Sequence, residues 1–269
     1  MLTAVNDAPS ATEAPSSGAF DYLTKPVEFS DLQAAVERAM MRRVRSIERR
    51  AVDRLIREEV ALRTVQLERE KGTLRLMTVS VAETLINAME AKDLYLRGHS
   101  QRVAEIAAAI AMHLELESGT VACIHTAGHL HDVGKIGIRE AVLNKPGPLT
   151  HEEFAHVKDH VRIGLDILSP LSHLGDALLF IRDHHEHWDG SGYPFGRSAH
   201  DITIGGRILT AADAFDALTS QRAYREPMTA ATTLEYLRTQ AGRLLEPRIY
   251  DALHAVVRGG TVEGIPRVE

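Results

Sequence analysis

His131-Asp132-Val133-Gly134-Lys135 is the stretch around which the chain is organised. A histidine followed by an aspartate offers nitrogen and oxygen donors from neighbouring positions. A carboxylate has two oxygens, so Asp132 can bridge two cations, which two-metal centres require at ~3.5–4 Å separation. Lys135 follows Asp132 by three residues and shares its face if the segment is helical, where its ammonium can hold a phosphate oxygen. A His-Asp pair alone is a weak signal in a chain with 14 histidines. Its weight comes from His99 upstream and from His160, His184-His185 and Asp213 downstream, each in a distinct local context.

Outward from this pair the pattern is helical. Val79, Ala82, Leu85, Ile86 and Met89 give one apolar face, and Val103, Ile106, Ala107 and Ile110 another. Asp166, Ile167 and Leu168 end a helix before Ser169-Pro170, and Leu178, Leu179 and Ile181 lead into the His184-His185 pair. Further faces run through 208–218, 230–237 and 249–257. Breaks fall at Lys145-Pro146-Gly147-Pro148, at Asp189-Gly190-Ser191-Gly192-Tyr193-Pro194 and at Glu226-Pro227. No alternating apolar run demands a sheet, so residues 76–269 read as all-α. Neighbouring histidines diverge by ~100° on a regular helix, so His184 and His185 share one ion only if it sits close against their helix.

Residues 40–75 read as a charged helical linker. From 41 to 71 the chain is dense in Arg and Glu, with no proline and no glycine before Gly72. Val44, Ile47, Ala51, Leu55, Leu62 and Val65 recur at threes, fours and one seven-residue gap, the seam of a two-stranded coiled coil whose register slips near Glu58-Glu59. A solvated single helix is the other reading. In residues 1–39, a short apolar start, a polar stretch and then Gly18 through Pro26 suggest strand, helix, strand. A helix over 29–40 follows, with Ser30 as its N-cap and Leu32, Val36 and Ala39 on its apolar face.

Bulk properties bound the answer. The chain has 269 residues, 44% of them hydrophobic, enough for one large domain with an appendage. A net charge of −6 argues against a nucleic-acid surface. The single cysteine, Cys123, excludes an intramolecular disulfide and a thiolate-rich metal site, and reads as a buried small hydrophobe. There is no signal segment and no apolar run long enough to span a bilayer, so the expected compartment is the cytoplasm.

Five ordered segments now carry a resemblance: AKDLYLRGHSQRVA (91–104), HLHDVGKIGI (129–138), LNKPGPLTHEEFAHVKDHVRIG (143–164), IRDHHEHWDGSGYP (181–194) and GRILTAADAFDALTSQRAYREPMT (206–229). Over about 76–257 the chain resembles the HD-GYP family of metal-dependent phosphohydrolases, a branch of the HD superfamily that hydrolyses cyclic di-GMP. The resemblance implies an HD-domain helical bundle, with His99, His131 and Asp213 on one metal, His160, His184 and His185 on the other, and Asp132 bridging them. It implies iron or manganese; imidazole and carboxylate donors suit zinc equally. Arg222 and Arg225 match basic positions expected to grip the second phosphate or a guanine. Gly192-Tyr193-Pro194 matches the Gly-Tyr-Pro signature, with Tyr193 either stacking on a guanine, bonding phosphate or plugging the core. The same loop is a candidate contact for diguanylate cyclase domains.

The first 39 residues resemble the second half of a response-regulator receiver domain. Thr3 stands where that family has its phosphate-sensing hydroxyl, and Lys25-Pro26 matches its Lys-Pro loop. The family's phospho-acceptor aspartate and acidic metal pair lie upstream of this segment in the family, so 1–39 reads as a small α/β receiver remnant, either from a truncated gene model or fragment or as a vestige. In proteins of this layout the linker helix relays receiver state through a homodimer.

The expected reaction is hydrolysis of cyclic di-GMP to pGpG, with a further cut to GMP left open, by a hydroxide bridging the two metals, with Asp132 and Lys135 as catalytic groups. Two other readings stay open: an HD-family hydrolase of a different cyclic dinucleotide or an alarmone, and a non-catalytic nucleotide-binding or cyclase-binding sensor. Family members with a third metal carry an extra carboxylate four residues before the first histidine ligand. That position is Tyr95 here, which implies two metals per chain and accumulation of pGpG.

Overall fold

The computed structural model describes residues 2–3, 23–90, 98–145, 147–221 and 226–260. Its contacts divide the chain into two compact units, Met1–Thr73 and Leu74–Glu269. In the first, β1 (Leu2–Thr3) pairs in parallel with β2 (Leu23–Thr24), with Leu2 opposite Leu23 and Thr3 opposite Thr24. The helix expected between them lies outside the described residues. These two strands are the whole sheet among the described residues.

Helix α1 (Phe29–Glu90) then runs without interruption. The sequence pattern predicts three pieces here, and the structure joins them. The reason is compositional: 62 residues rich in Arg, Glu, Leu and Ala contain no proline and one glycine, Gly72. Ser30, expected as the N-cap, instead lies inside the first turn, because the Glu28 carbonyl already accepts from the amides of Asp31 and Leu32, both at 3.2 Å. Exposed pairs four residues apart, such as Arg63–Glu59 at 2.9 Å and Gln66–Glu70 at 3.1 Å, each add roughly 0.2–0.5 kcal/mol. Val44, Ile47, Leu55, Leu62 and Val65 are all exposed along this helix.

The second unit continues with α2 (His99–His113), α3 (Ser118–Leu130), a 3-10 turn (Val133–Gly137) and the short α4 (Glu140–Leu143). Next come α5 (His151–Lys158), α6 (His160–Leu168), α7 (Asp176–Asp183) and α8 (Ile204–Thr219), then α9 (Ala230–Thr239) and α10 (Pro247–Gly259). The helical reading of this unit therefore holds; its one β feature among the described residues is an isolated bridge between Ala241 and Leu245.

α2 is the central element. Its buried row of Val103, Ile106, Ala107 and Ile110 packs against α3 and α8. Ile124, Leu130, Ile181, Leu209, Phe215, Leu237 and Leu253 are wholly buried around it, each contributing about 1.5–3 kcal/mol by removal from water. Cys123, expected to be buried, is only half-buried at the edge of this core. Three helix starts are fixed by threonine hydroxyls. Thr150 and Glu153 form a reciprocal capping box on α5, while Thr203 and Thr229 cap α8 and α9.

One close approach sets the site. The turn Val133–Gly137 packs against α6. A side chain at Gly134 would collide with the carbonyl oxygen of His160. Only glycine lets the backbone after Asp132 come this near to the start of α6.

Candidate metal centre

Three histidines are aimed by the same local device. His131 follows the last residue of α3, His160 opens α6 and His184 follows the end of α7. Each places Nδ1 on the carbonyl oxygen three residues back: Gly128 at 2.7 Å, Val157 at 2.7 Å and Ile181 at 2.6 Å. A carbonyl only accepts, so Nδ1 carries the hydrogen and Nε2 presents its lone pair inward. His99 is oriented differently, with Nδ1 bonded at 2.7 Å to the carboxylate of Asp216.

The Nε2 atoms converge on Asp132, whose carboxylate is buried. Its Oδ2 lies 3.5 Å from His99 Nε2 and 3.3 Å from His131 Nε2, while Oδ1 lies 3.7 Å from His160 Nε2. Donor atoms of His99, His131 and Asp213 all fall within 4.8 Å of one another, and so do those of His160, His184 and His185. His131, Asp132 and His184 form a third such group between them. All seven residues singled out for metal binding are thus brought into one cage.

The donor chemistry fits cations. His99 Nε2 and His131 Nε2 are buried with no hydrogen-bond partner among the described residues. His160 Nε2 and His184 Nε2 face each other at 3.4 Å. Buried, unpaired lone pairs are costly unless something positive lies between them.

The charge states agree for one donor set, His160, His184 and His185. Burial lowers the imidazolium pKa of His184 to about 3, and the nearby rings of His131 and His160 disfavour a further positive charge there. Burial also holds His185 well below the usual value and lowers His160. These three imidazoles are neutral at pH 7 and have no proton to surrender. For His99, burial opposes protonation, but the carboxylates of Asp132, Asp216 and Asp213 outweigh it and raise the pKa to about 9, so a cation bound there would displace a proton. Burial works against charge on Asp132 too, yet His131 and Lys135 hold its carboxyl well below the usual range.

His184 and His185 do not sit on a regular helix. Both follow Asp183, the last residue of α7, and their rings lie 4.0 Å apart, tilted by 41°. Leaving the helix lets both imidazoles turn to one side, which 100° helical spacing would resist.

Lys135 reaches the rim of the cage, where its ammonium contacts Asp132 Oδ2 at 2.5 Å. Tyr193 stacks on His185, with centroids 4.7 Å apart at 26°, and burial raises its phenol pKa. The loop that presents Tyr193 folds back on the histidine pair. Tyr193 donates its amide to the His185 carbonyl at 3.0 Å, and a side chain at Gly192 would strike the backbone of His185 and His187. Arg222 and Arg225, like Tyr95, lie outside the described residues.

Two supporting carboxylates escape a reading based on ligand motifs. Asp216 accepts from His99 Nδ1 and from Arg102, the latter through Nε at 2.6 Å and Nη2 at 3.1 Å. Burial disfavours its charge, but these bonds hold its pKa at about 2. The signal was available: Asp213 and Asp216 are three apart on α8 and so share a face. Glu186 is buried and accepts the amides of Phe195 at 2.7 Å and Arg197 at 2.9 Å, fastening the loop beyond Pro194.

A helical domain that gathers imidazoles and carboxylates into paired donor sets is of the histidine–aspartate metal-binding class. The chain belongs to the HD-domain family, whose profile matches residues 83–249. It is 38% identical to the cyclic di-GMP phosphodiesterase response regulator RpfG of Xanthomonas campestris, over 94% of this chain and 66% of that protein. It is 33% identical to a cyclic di-GMP phosphodiesterase of Thermotoga maritima, over 94% of this chain and 69% of the relative. The chain thus spans about two thirds of the length of these relatives. A 3'3'-cGAMP-specific phosphodiesterase of Vibrio cholerae is 38% identical over 67% of this chain and 35% of its own length. In three dimensions a HDG"Y"P protein from Bdellovibrio bacteriovorus matches at a TM-score of 0.53 and 17% identity, over 68% of this chain and 63% of that one, a likeness of fold.

Proposed function

We propose that the chain is a metal-dependent phosphodiesterase that hydrolyses cyclic di-GMP to pGpG. The observation that carries this reading is Asp132, whose two oxygens face separate nitrogen sets, Oδ2 toward His99 and His131 and Oδ1 toward His160. Two divalent cations would be held by His99, His131 and Asp213 on one side and His160, His184 and His185 on the other, sharing Asp132. Such a pair supplies an activated water and neutralises charge on the reacting phosphate. Iron or manganese fits these donors, as does zinc.

The residues themselves do the rest. The Nδ1 bonds to carbonyls and to Asp216 fix His99, His131, His160 and His184 before substrate arrives. Lys135 offers an ammonium at the rim for a non-bridging phosphate oxygen. Tyr193, stacked on His185, closes one wall and is placed to meet a base or phosphate. Arg222 and Arg225 are assigned to the second phosphate or a guanine.

The organisation proposed around this core is a receiver remnant over 1–39, a linker helix that holds a homodimer, and a Gly-Tyr-Pro loop open to diguanylate cyclase domains. No helix among the described residues is long and apolar enough to cross a membrane, and we assign the chain to the cytoplasm.

A second reading is favoured by one observation: relatives in Vibrio cholerae are named as 3'3'-cGAMP-specific phosphodiesterases. Both readings are tested together by incubating metal-analysed protein with cyclic di-GMP and with 3'3'-cGAMP and following products over time. Conversion of cyclic di-GMP to pGpG ahead of any GMP is the expected result. Turnover of 3'3'-cGAMP alone would transfer the assignment to that substrate, and turnover of neither would remove the enzymatic reading.

A further inference from the structure

Helix α2 begins at His99, and its N-cap, Gly98, has no side chain with which to cap it. The first turn of α2 also contains no acidic residue. The open amides are taken by Glu90, the last residue of α1. Glu90 Oε2 accepts the Gly98 amide at 2.8 Å, and Oε1 accepts both the Ser100 amide at 2.9 Å and the Ser100 hydroxyl at 2.6 Å. The carboxylate is only 5% exposed, and a negative group is stabilised at the positive end of a helix. Ile86, one turn earlier on α1, is buried in the same core as α2 and fixes this end of the helix.

The two amides that Glu90 holds belong to the residues on either side of His99. A single carboxylate therefore clamps the backbone of His99 from both flanks, while Asp216 fixes its ring through Nδ1. Ring and backbone together determine where Nε2 stands relative to Asp132 and Asp213, 3.5 Å and 3.4 Å away. No comparable contact links Glu90 to His160, His184 or His185 among the described residues.

We propose that Glu90 is a positioning residue for His99, so that the cation position built by His99, His131 and Asp213 depends on it, and the position built by His160, His184 and His185 does not. This rests on the two-cation reading above. It makes the C-terminal end of α1 part of the metal centre's support, although Glu90 itself touches neither cation nor substrate.

The test is calorimetric titration of the metal-free full chain with Mn2+, alongside Glu90→Ala, Glu90→Gln and His99→Ala. Electron paramagnetic resonance of each loaded protein reports whether two Mn2+ ions are coupled. In the unchanged chain two ions bind and are coupled. His99→Ala weakens one of them directly. Glu90→Ala weakens that same ion, by about 10–100-fold as for other outer partners of metal ligands, and abolishes the coupled signal while the other ion is retained. Glu90→Gln, which keeps one acceptor oxygen, falls between. Far-UV circular dichroism verifies that each variant is folded, and Glu90→Gln carries the test if Glu90→Ala is not. If His99→Ala loses one ion while both Glu90 variants bind two with unchanged affinity, the proposal fails and the two-cation reading stands. Equal weakening of both ions in the Glu90 variants also overturns it, since Glu90 would then hold the fold rather than His99. Unchanged binding in His99→Ala, or no Mn2+ uptake by the unchanged chain, overturns both.

Discussion

Asp132 is a buried carboxylate within 3.7 Å of three imidazole nitrogens and 2.5 Å of an ammonium. A group in that position stays ionised because its neighbours are positive or polarisable, and it is the one group both donor sets share. Asp132→Ala is therefore expected to strip both cations and end hydrolysis, read by elemental analysis and a product assay. Metal retention with full activity in that variant would remove the bridging assignment. Asp216→Ala should be milder: His99 keeps its place in the chain but loses the partner that orients its ring. Affinity for one cation should drop about 10–100-fold, measured by competition with a chelator, and unchanged affinity would show that Asp216 serves Arg102 alone. As a control, His254→Ala should leave turnover unchanged, since its ring packs against Tyr250, 6.1 Å between centroids, on α10. At this scale the resemblance carried by five ordered motifs pointed to the seven residues that the structure gathers together, where a lone His-Asp pair would not have done so. Beyond the three-residue spacing of Asp213 and Asp216 the sequence offered nothing on the supporting carboxylates, and it was silent on Glu186 and Glu90, because an outer partner is defined by packing. His99 and Asp216 stand 117 positions apart.

Elements position these residues by their ends more than by their faces. Three of the histidines stand at helix termini, where the last carbonyls are free to accept from Nδ1. The turn Val133–Gly137 lies tight on α6 because Gly134 lacks a side chain. Gly134→Ala should therefore force α3 and α6 apart, destabilising the fold by about 1–3 kcal/mol, read as a lower urea midpoint. A midpoint equal to the unchanged protein would mean that the contact relaxes freely. Thr150→Ala removes the capping box of α5 and should cost about 1 kcal/mol, read as a lower urea midpoint. The helices of the second unit were legible from apolar spacing and from Gly and Pro breaks. The unbroken run of α1 was not, since a change in apolar face reads as a boundary although nothing in 29–90 stops a helix. Nor was the placement of His184 and His185 beyond α7, which a short apolar helix followed by polar residues leaves undetermined.

At the scale of the molecule, the donors come from α2, the α3–turn junction, α6, the segment after α7, and α8. Ions bound to such a cage stabilise the native state and have no preformed site in the unfolded chain. Chelation should lower the thermal midpoint of the second unit, and restoring cation at 100 times its dissociation constant should return about 2.7 kcal/mol for one site. Equal midpoints with and without cation would argue against binding in the folded state. The overall class was readable because a helical pattern and ordered His/Asp motifs agree. The short N-terminal strands offered much less, since four paired residues carry little pattern. The spread of donors also has a consequence for how the protein is made. His99 leaves the ribosome long before Asp213, and Asp132 and the paired histidines emerge in between. Metal loading must therefore await synthesis of nearly the whole domain, so a growing chain exposes unfinished ligand sets to whichever ions the cell supplies. Growth conditions during expression should then decide which metal the finished protein first carries, before any exchange by chelation and reloading.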